Sequence, residues 1–136
     1  MAYAIKAAIR DPRAETFAFA AQKTMYRGRH VAAGDTIFLF ASETEGGQGL
    51  VARGVVTAAE AVAGVPGVAR QTPRVTVSIR RTALAGRPLG RRELRPLTDW
   101  YDGRPGTELN FKLYRQATNK IIGLSDGAAA FLDTFF

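Results

Sequence analysis

The chain has 136 residues, 46% apolar and 23% charged, with no cysteine, one histidine and a formal net charge of +7. These figures fit one domain spanning residues 1–136 with one hydrophobic core. They exclude disulfides and thiolate metal sites, and the single histidine argues against an imidazole-based zinc site. No apolar run approaches the roughly 18 residues that a bilayer-spanning helix needs, so no membrane partner is expected. Met1–Lys6 lacks the basic-then-apolar pattern of a signal peptide, so a cytoplasmic location is expected.

In chain order, Tyr3–Ile9 reads as a first strand. Asp11-Pro12 has the form of a helix start, with Asp11 as cap and Pro12 in the first turn. The alanine-rich stretch Ala14–Lys23 then predicts a helix whose Phe17, Ala20 and Ala21 share a face. Met25–His30 is an aromatic and basic loop. Gly34-Asp35 marks a turn into Ile37–Phe40, an apolar run suited to a strand buried on both faces. Glu43–Gly49 reads as the tip of a hairpin-like connection, and Leu50–Val56 as the return strand. Gly54 there suits a bend or a close backbone approach. Thr57–Ala63 fits either an extension of that strand or a short helix.

Gly64–Thr72 is a Pro/Gly loop. Arg74–Arg80 alternates, with Val75, Val77 and Ile79 inward and Arg74, Thr76, Ser78 and Arg80 outward. Leu84–Leu97 reads as a connection with one helical turn near Arg91–Leu94. Thr98–Gly106 is a loop carrying the only tryptophan. Leu109–Thr118 fits either a turn of helix or an irregular segment, and Lys120–Leu124 a short last strand. Ser125 caps a C-terminal helix over Gly127–Phe136, with Ala128, Phe131, Leu132 and Phe135 on its apolar face. The sum is an α+β chain: a small mixed β-barrel of five to six strands flanked by two to three helices.

The charge is concentrated. Between Arg70 and Arg95 lie eight arginines against Glu93 alone, which equals the whole excess of +7. Such a segment can steer a polyanion; it is equally the solvated surface of an arginine-rich protein. Enzyme signatures are scarce, with no Walker-type phosphate loop and no G-x-S-x-G elbow. His30 is the only imidazole available to a catalytic relay, and no cofactor or metal is expected. A base-binding pocket, by contrast, needs flat π-faces, edge-reading polar groups and nearby cations. Tyr26, Trp100, Tyr101 and Phe111 offer the faces. Lys6, Ser42, Asn110, Gln116 and Asn119 offer polar groups, and Arg27, Arg29, Lys112 and Arg115 offer phosphate contacts. The structural alternatives are core packing for Phe38, core or pocket for Phe40, and a lid over the core edge for Trp100-Tyr101.

The turn-strand Gly34–Ser42, with its Gly-Asp start and terminal serine, resembles the EVE domains of the PUA-like superfamily, relatives of ASCH and YTH domains. So do Tyr3–Lys6, similar to a first strand ending in lysine, and the aromatic-basic Phe111–Gln116. The resemblance implies a five- or six-stranded barrel with flanking helices, and a pocket for a flipped, often modified base. Carried over, the pocket residues are Lys6, Met25, Tyr26, Phe40, Ala41 and Ser42, with Trp100 and Phe111 as further walls. EVE and YTH domains commonly have a tryptophan before the Gly-Asp strand, where this chain has Met25 and Tyr26. The implied function is a nucleic-acid-binding module, RNA or DNA, rather than an enzyme. The alternatives are an ASCH-like amidohydrolase acting on a modified nucleoside through Lys23, Thr24 and Glu43 or Glu60, and a protein-interaction domain.

Overall fold

The computed structural model describes all of residues 1–136. Six strands close into a barrel: β1 (Ala2–Ala7), β2 (Thr16–Met25), β3 (Thr36–Ala41), β4 (Gly49–Ala61), β5 (Arg74–Leu84) and β6 (Lys120–Gly123), ordered β1-β3-β4-β5-β2-β6. The β1–β3 and β2–β6 contacts are parallel and the other four antiparallel. Three helices, α1 (Arg91–Leu94), α2 (Pro105–Leu109) and α3 (Asp126–Asp133), cover the wall made by β1, β3 and β6.

The apolar run of β3 is explained by this layering. Ile37 and Leu39 join Tyr3, Ile5, Val77 and Ile79 inside the barrel. Phe38 and Phe40 point the other way, into a second core with Leu94, Leu109, Leu113 and Leu132. A strand buried on both faces needs no polar alternation. The barrel interior is filled by side chains, so any ligand must be held elsewhere.

The helix expected over Ala14–Lys23 is not formed; this segment is β2. Asp11 makes only a local turn, accepting from the Arg13 N–H at 3.0 Å. Within Thr16–Ala20 the two phenylalanines alternate with exposed residues, and their rings stack at 6.1 Å. That two-residue period, together with the need to pair β5 with β6, overrides alanine's helix propensity. Ala21 adopts φ 48° at the irregularity between Phe19 and Gln22, where the register with β5 shifts.

The undecided Thr57–Ala61 extends β4, and Gly54 allows a close approach, because a Cβ there would lie 2.6 Å from the Arg80 carbonyl oxygen. Val75, Val77 and Ile79 face inward as expected. The helical turn at Arg91–Leu94 is α1. Ser125 caps α3 by accepting from the Ala128 N–H at 3.1 Å. α3 stops at Asp133, and Phe135 docks beyond it, its carbonyl accepting from Gly86 N–H at 2.6 Å.

Candidate functional site

The site lies at the seam between barrel wall and helices. β1 and β3 end side by side, bringing Lys6 next to Phe40 and placing Ser42 just beyond. α2 runs into a wider turn, Asn110–Tyr114, closed by the Arg115 N–H bonding back to the Asn110 carbonyl at 2.9 Å. Such π turns insert a residue and re-aim the side chains around them. Here Tyr114 and Arg115 reach the seam, and α1 supplies Arg91 and Arg95.

Together these groups line a cavity of ≈ 110 Å³, with Lys6, Ser42, Glu43, Thr44, Arg91, Arg95, Tyr114, Arg115 and Ala117 around it. One buried water needs roughly 10–15 Å³ on the same measure, so the space takes several waters or a small planar group. Four cations face one carboxylate, which gives the cavity a preference for anionic or electron-rich ligands.

Its interior is fixed by hydrogen bonds. Glu43 accepts from the Tyr114 hydroxyl at 3.1 Å and from the Arg91 N–H at 2.6 Å. Burial and the Glu43 carboxylate push the Tyr114 phenol well above its ordinary range, so it stays protonated and donating. Lys6 is 3% exposed; its Nζ donates to the Leu113 carbonyl at 2.7 Å and lies 5.1 Å from the Tyr114 ring centroid. Burial lowers the Lys6 amine, Glu43 opposes that shift and Arg91 adds to it.

Directly opposite Lys6 across the β1–β6 ladder is a second buried lysine, Lys120. Its amine donates to the Gln116 and Thr118 carbonyls, each at 3.3 Å, and burial together with the Lys6 charge lowers it to about 8. Neither lysine has a carboxylate within ion-pair distance. Next to Lys120, the Asn119 Oδ1 is buried without a partner, although its amide donates to Glu45 at 2.8 Å.

Of the expected site residues, Lys6, Ser42 and Arg115 meet in this cavity. Phe40 is fully buried beneath it, edge-on to Tyr114 at 6.4 Å, and Ala41 is buried where Gly47 crosses it. Met25 and Tyr26 stand at the far end of β6, beside Ile122 and Gly123, so they do not wall the cavity. Trp100 is half exposed and packs on Phe111 at 4.9 Å, and the Arg115 guanidinium lies 4.7 Å from the Phe111 centroid. Lys112 donates to Glu108 at 3.0 Å and to the Gly123 carbonyl at 2.8 Å, and sits 5.4 Å from the Tyr26 centroid.

These contacts form a strip along the outside of the helical layer, from Tyr26 through Lys112, Phe111 and Trp100 to Arg115 and the cavity. At its far end Arg27 and Arg29 are exposed on a turn in which Tyr26 (φ 50°) and Arg27 (φ 67°) are both left-handed. Consecutive non-glycine residues there are held against intrinsic preference. Gly28 and Gly123 make this possible: a Cβ on Gly28 would fall 2.1 Å from the Ile121 oxygen, and one on Gly123 2.5 Å from the Tyr26 oxygen.

Glu43, Arg91, Arg95, Tyr114 and Lys120 were not singled out as parts of a base pocket by the sequence. The arginine-rich segment does not act as one patch. Arg74, Arg81 and Arg87 bond backbone carbonyls, and only Arg91 and Arg95 reach the cavity. The hydrolase set does not converge: Glu43 lines the cavity, Thr24 donates to the Pro73 carbonyl at 2.8 Å, and Glu60 is exposed on β4.

No family model and no curated protein matches the chain. Solved structures do. The DUF55 domain of human thymocyte nuclear protein 1 superposes with a TM-score of 0.64 at 13% identity, over 98% of this chain and 97% of that one. A Pseudomonas putida protein superposes at 0.65 with 13% identity, over 99% of each chain. Human THYN1 in complex with DNA containing 5-methylcytosine superposes at 0.65 with 14% identity, over 98% of this chain and 95% of that one. The chain therefore has the fold of these structures, a closed six-stranded mixed barrel with flanking helices, as expected from the EVE-domain resemblance.

Proposed function

We propose that the protein is a nucleic-acid-binding module that takes an unstacked base, modified or not, into the seam cavity and runs the flanking strand along the Tyr26–Arg115 strip. The observation that carries this reading is the cavity itself: Lys6, Arg91, Arg95 and Arg115 around a Glu43 carboxylate fixed by Tyr114, with Arg115 linking it through the Phe111 ring to the half-exposed Trp100. Donors and an acceptor at fixed positions suit the edge of a base, whereas guanidinium groups and exposed rings suit phosphates and neighbouring bases. The methylated DNA held by human THYN1, a neighbour in fold, supports 5-methylcytosine as the first modification to test.

The test is titration with labelled single-stranded DNA carrying cytosine or 5-methylcytosine, and with the matching RNA, over a range of salt. Binding is expected to weaken as salt rises. Arg115→Glu is expected to lower affinity by about tenfold, corresponding to roughly 1.4 kcal/mol. Arg13→Glu, which lies in a separate groove by Arg87 and Pro88, is expected to change it little. Absence of binding by the wild type at low salt, or equal effects of the two substitutions, overturns the proposal.

A further inference from the structure

Beyond the cavity, the loop joining β4 to β5 forms an arm at the end of the sheet. β3 pairs with β4 only as far as Val55, while β4 runs on to Ala61 against Val75 of β5, and β2 pairs β5 on its other side as far as Arg74. The arm's tip exposes Val62, Val65 and Val68, at 41%, 62% and 50%. The tip is preformed: the Gln71 side chain accepts from the Val65 N–H at 2.7 Å and donates to the Val65 and Val68 carbonyls at 3.0 and 2.8 Å. Three exposed valines on a braced turn form an apolar surface with no partner within the chain.

Its surroundings are cationic. Lys23 and Arg74 line a groove of ≈ 390 Å³ under the tip, with Arg70 exposed on the loop above and Glu60 the one acidic residue on the arm. That groove shares Pro73 with a second, of ≈ 350 Å³, lined by Tyr26, Arg27 and Arg29, which is the far end of the strip described above. A path of cations therefore runs from the cavity past Tyr26 to the arm.

We propose that the β4–β5 arm inserts its valine tip into a groove of the nucleic-acid duplex flanking the bound base, with Lys23, Arg70 and Arg74 on the phosphates beside it. This rests on the base-binding reading for the position of the duplex. Exposed apolar side chains serve as wedges where a duplex is opened, and cations beside them meet its phosphates. The positive flanks and the continuity with the strip favour nucleic acid over a protein partner.

The experiment compares one 5-methylcytosine-containing DNA strand, alone and annealed to its complement, on wild type and on a Val65→Ser, Val68→Ser, Arg70→Glu variant, with Arg115→Glu in parallel. All three arm positions are exposed, and an unchanged melting curve verifies the fold. The arm variant is expected to lose about tenfold in duplex affinity and about one unit of salt slope, with single-strand affinity unchanged. An arm variant that binds duplex like wild type, or that loses both forms equally, overturns the arm proposal and leaves the cavity reading intact. Duplex binding that depends on the arm but not on Arg115 supports the arm and removes the cavity reading. A wild type that binds neither form overturns both.

Discussion

Replacing Lys120 by methionine is expected to make the free protein more stable and a weaker binder. Lys120 is 1% exposed and directly opposite Lys6, and its only partners are two carbonyls at 3.3 Å. Like charges facing each other across a ladder destabilise it, and burial adds a desolvation cost. Both effects appear in the amine's fall from 10.5 to about 8. The unfolded chain then holds the proton more tightly than the folded one. The cost is complete below about pH 8 and relieved as pH rises towards 10.5. At about 1.4 kcal/mol per unit, its upper bound is about 3 kcal/mol. Solvent in the adjoining cavity screens part of it, leaving about 1–2 kcal/mol for Lys120→Met to recover near neutral pH. The carbonyls of Gln116 and Thr118 belong to exposed residues and can return to water. Urea unfolding at neutral pH and near pH 10.5 reads the effect, which should shrink to nothing at the higher value. A destabilised variant, or a gain independent of pH, refutes the reasoning. A titration should show weaker oligonucleotide binding, since a positive group behind the cavity has been traded for stability.

Lys6→Met should lower affinity while changing stability by no more than about 1 kcal/mol, because the lost bond to Leu113 is offset by a relieved charge burial; paired unfolding and binding curves check it. Gly28→Ala should cost about 1–3 kcal/mol, since its Cβ would meet the Ile121 carbonyl; an unchanged melting temperature would count against the close approach. Burial pushes the Glu108 carboxyl up, but donation from the Ser125 hydroxyl, the Ser125 N–H and Lys112 outweighs this and holds it below its ordinary 4.5. Its contribution is therefore present above pH 4.5 and lost as pH falls through the depressed folded value. Glu108→Gln should be less stable at neutral pH by about 1 kcal/mol and show a shallower acid limb.

Features carried by neighbouring residues were legible in the sequence: the Gly34-Asp35 turn, the inward valines of β5, the Ser125 cap. β2 was not, because its alanines favour helix locally and only the barrel's need for a sixth strand decides otherwise. The candidate site was half legible. Lys6, Ser42 and Arg115 stand out as polar groups at the ends of apolar segments. The Lys6–Lys120 pair depends on the β1–β6 register, and the Arg91 bond to Glu43 spans 48 positions, so neither leaves a local pattern. Tyr26 and Trp100 were grouped with the cavity by residue type, whereas the fold sets them along a strip leading to it.

The most direct measurement follows backbone amide shifts of the isotope-labelled protein during addition of a 5-methylcytosine-containing oligonucleotide. Base entry at the seam requires the largest changes at Ser42, Glu43, Tyr114 and Arg115, with smaller ones at Tyr26 and Lys112. Changes confined to residues away from that seam, with those four unmoved at saturation, would contradict it.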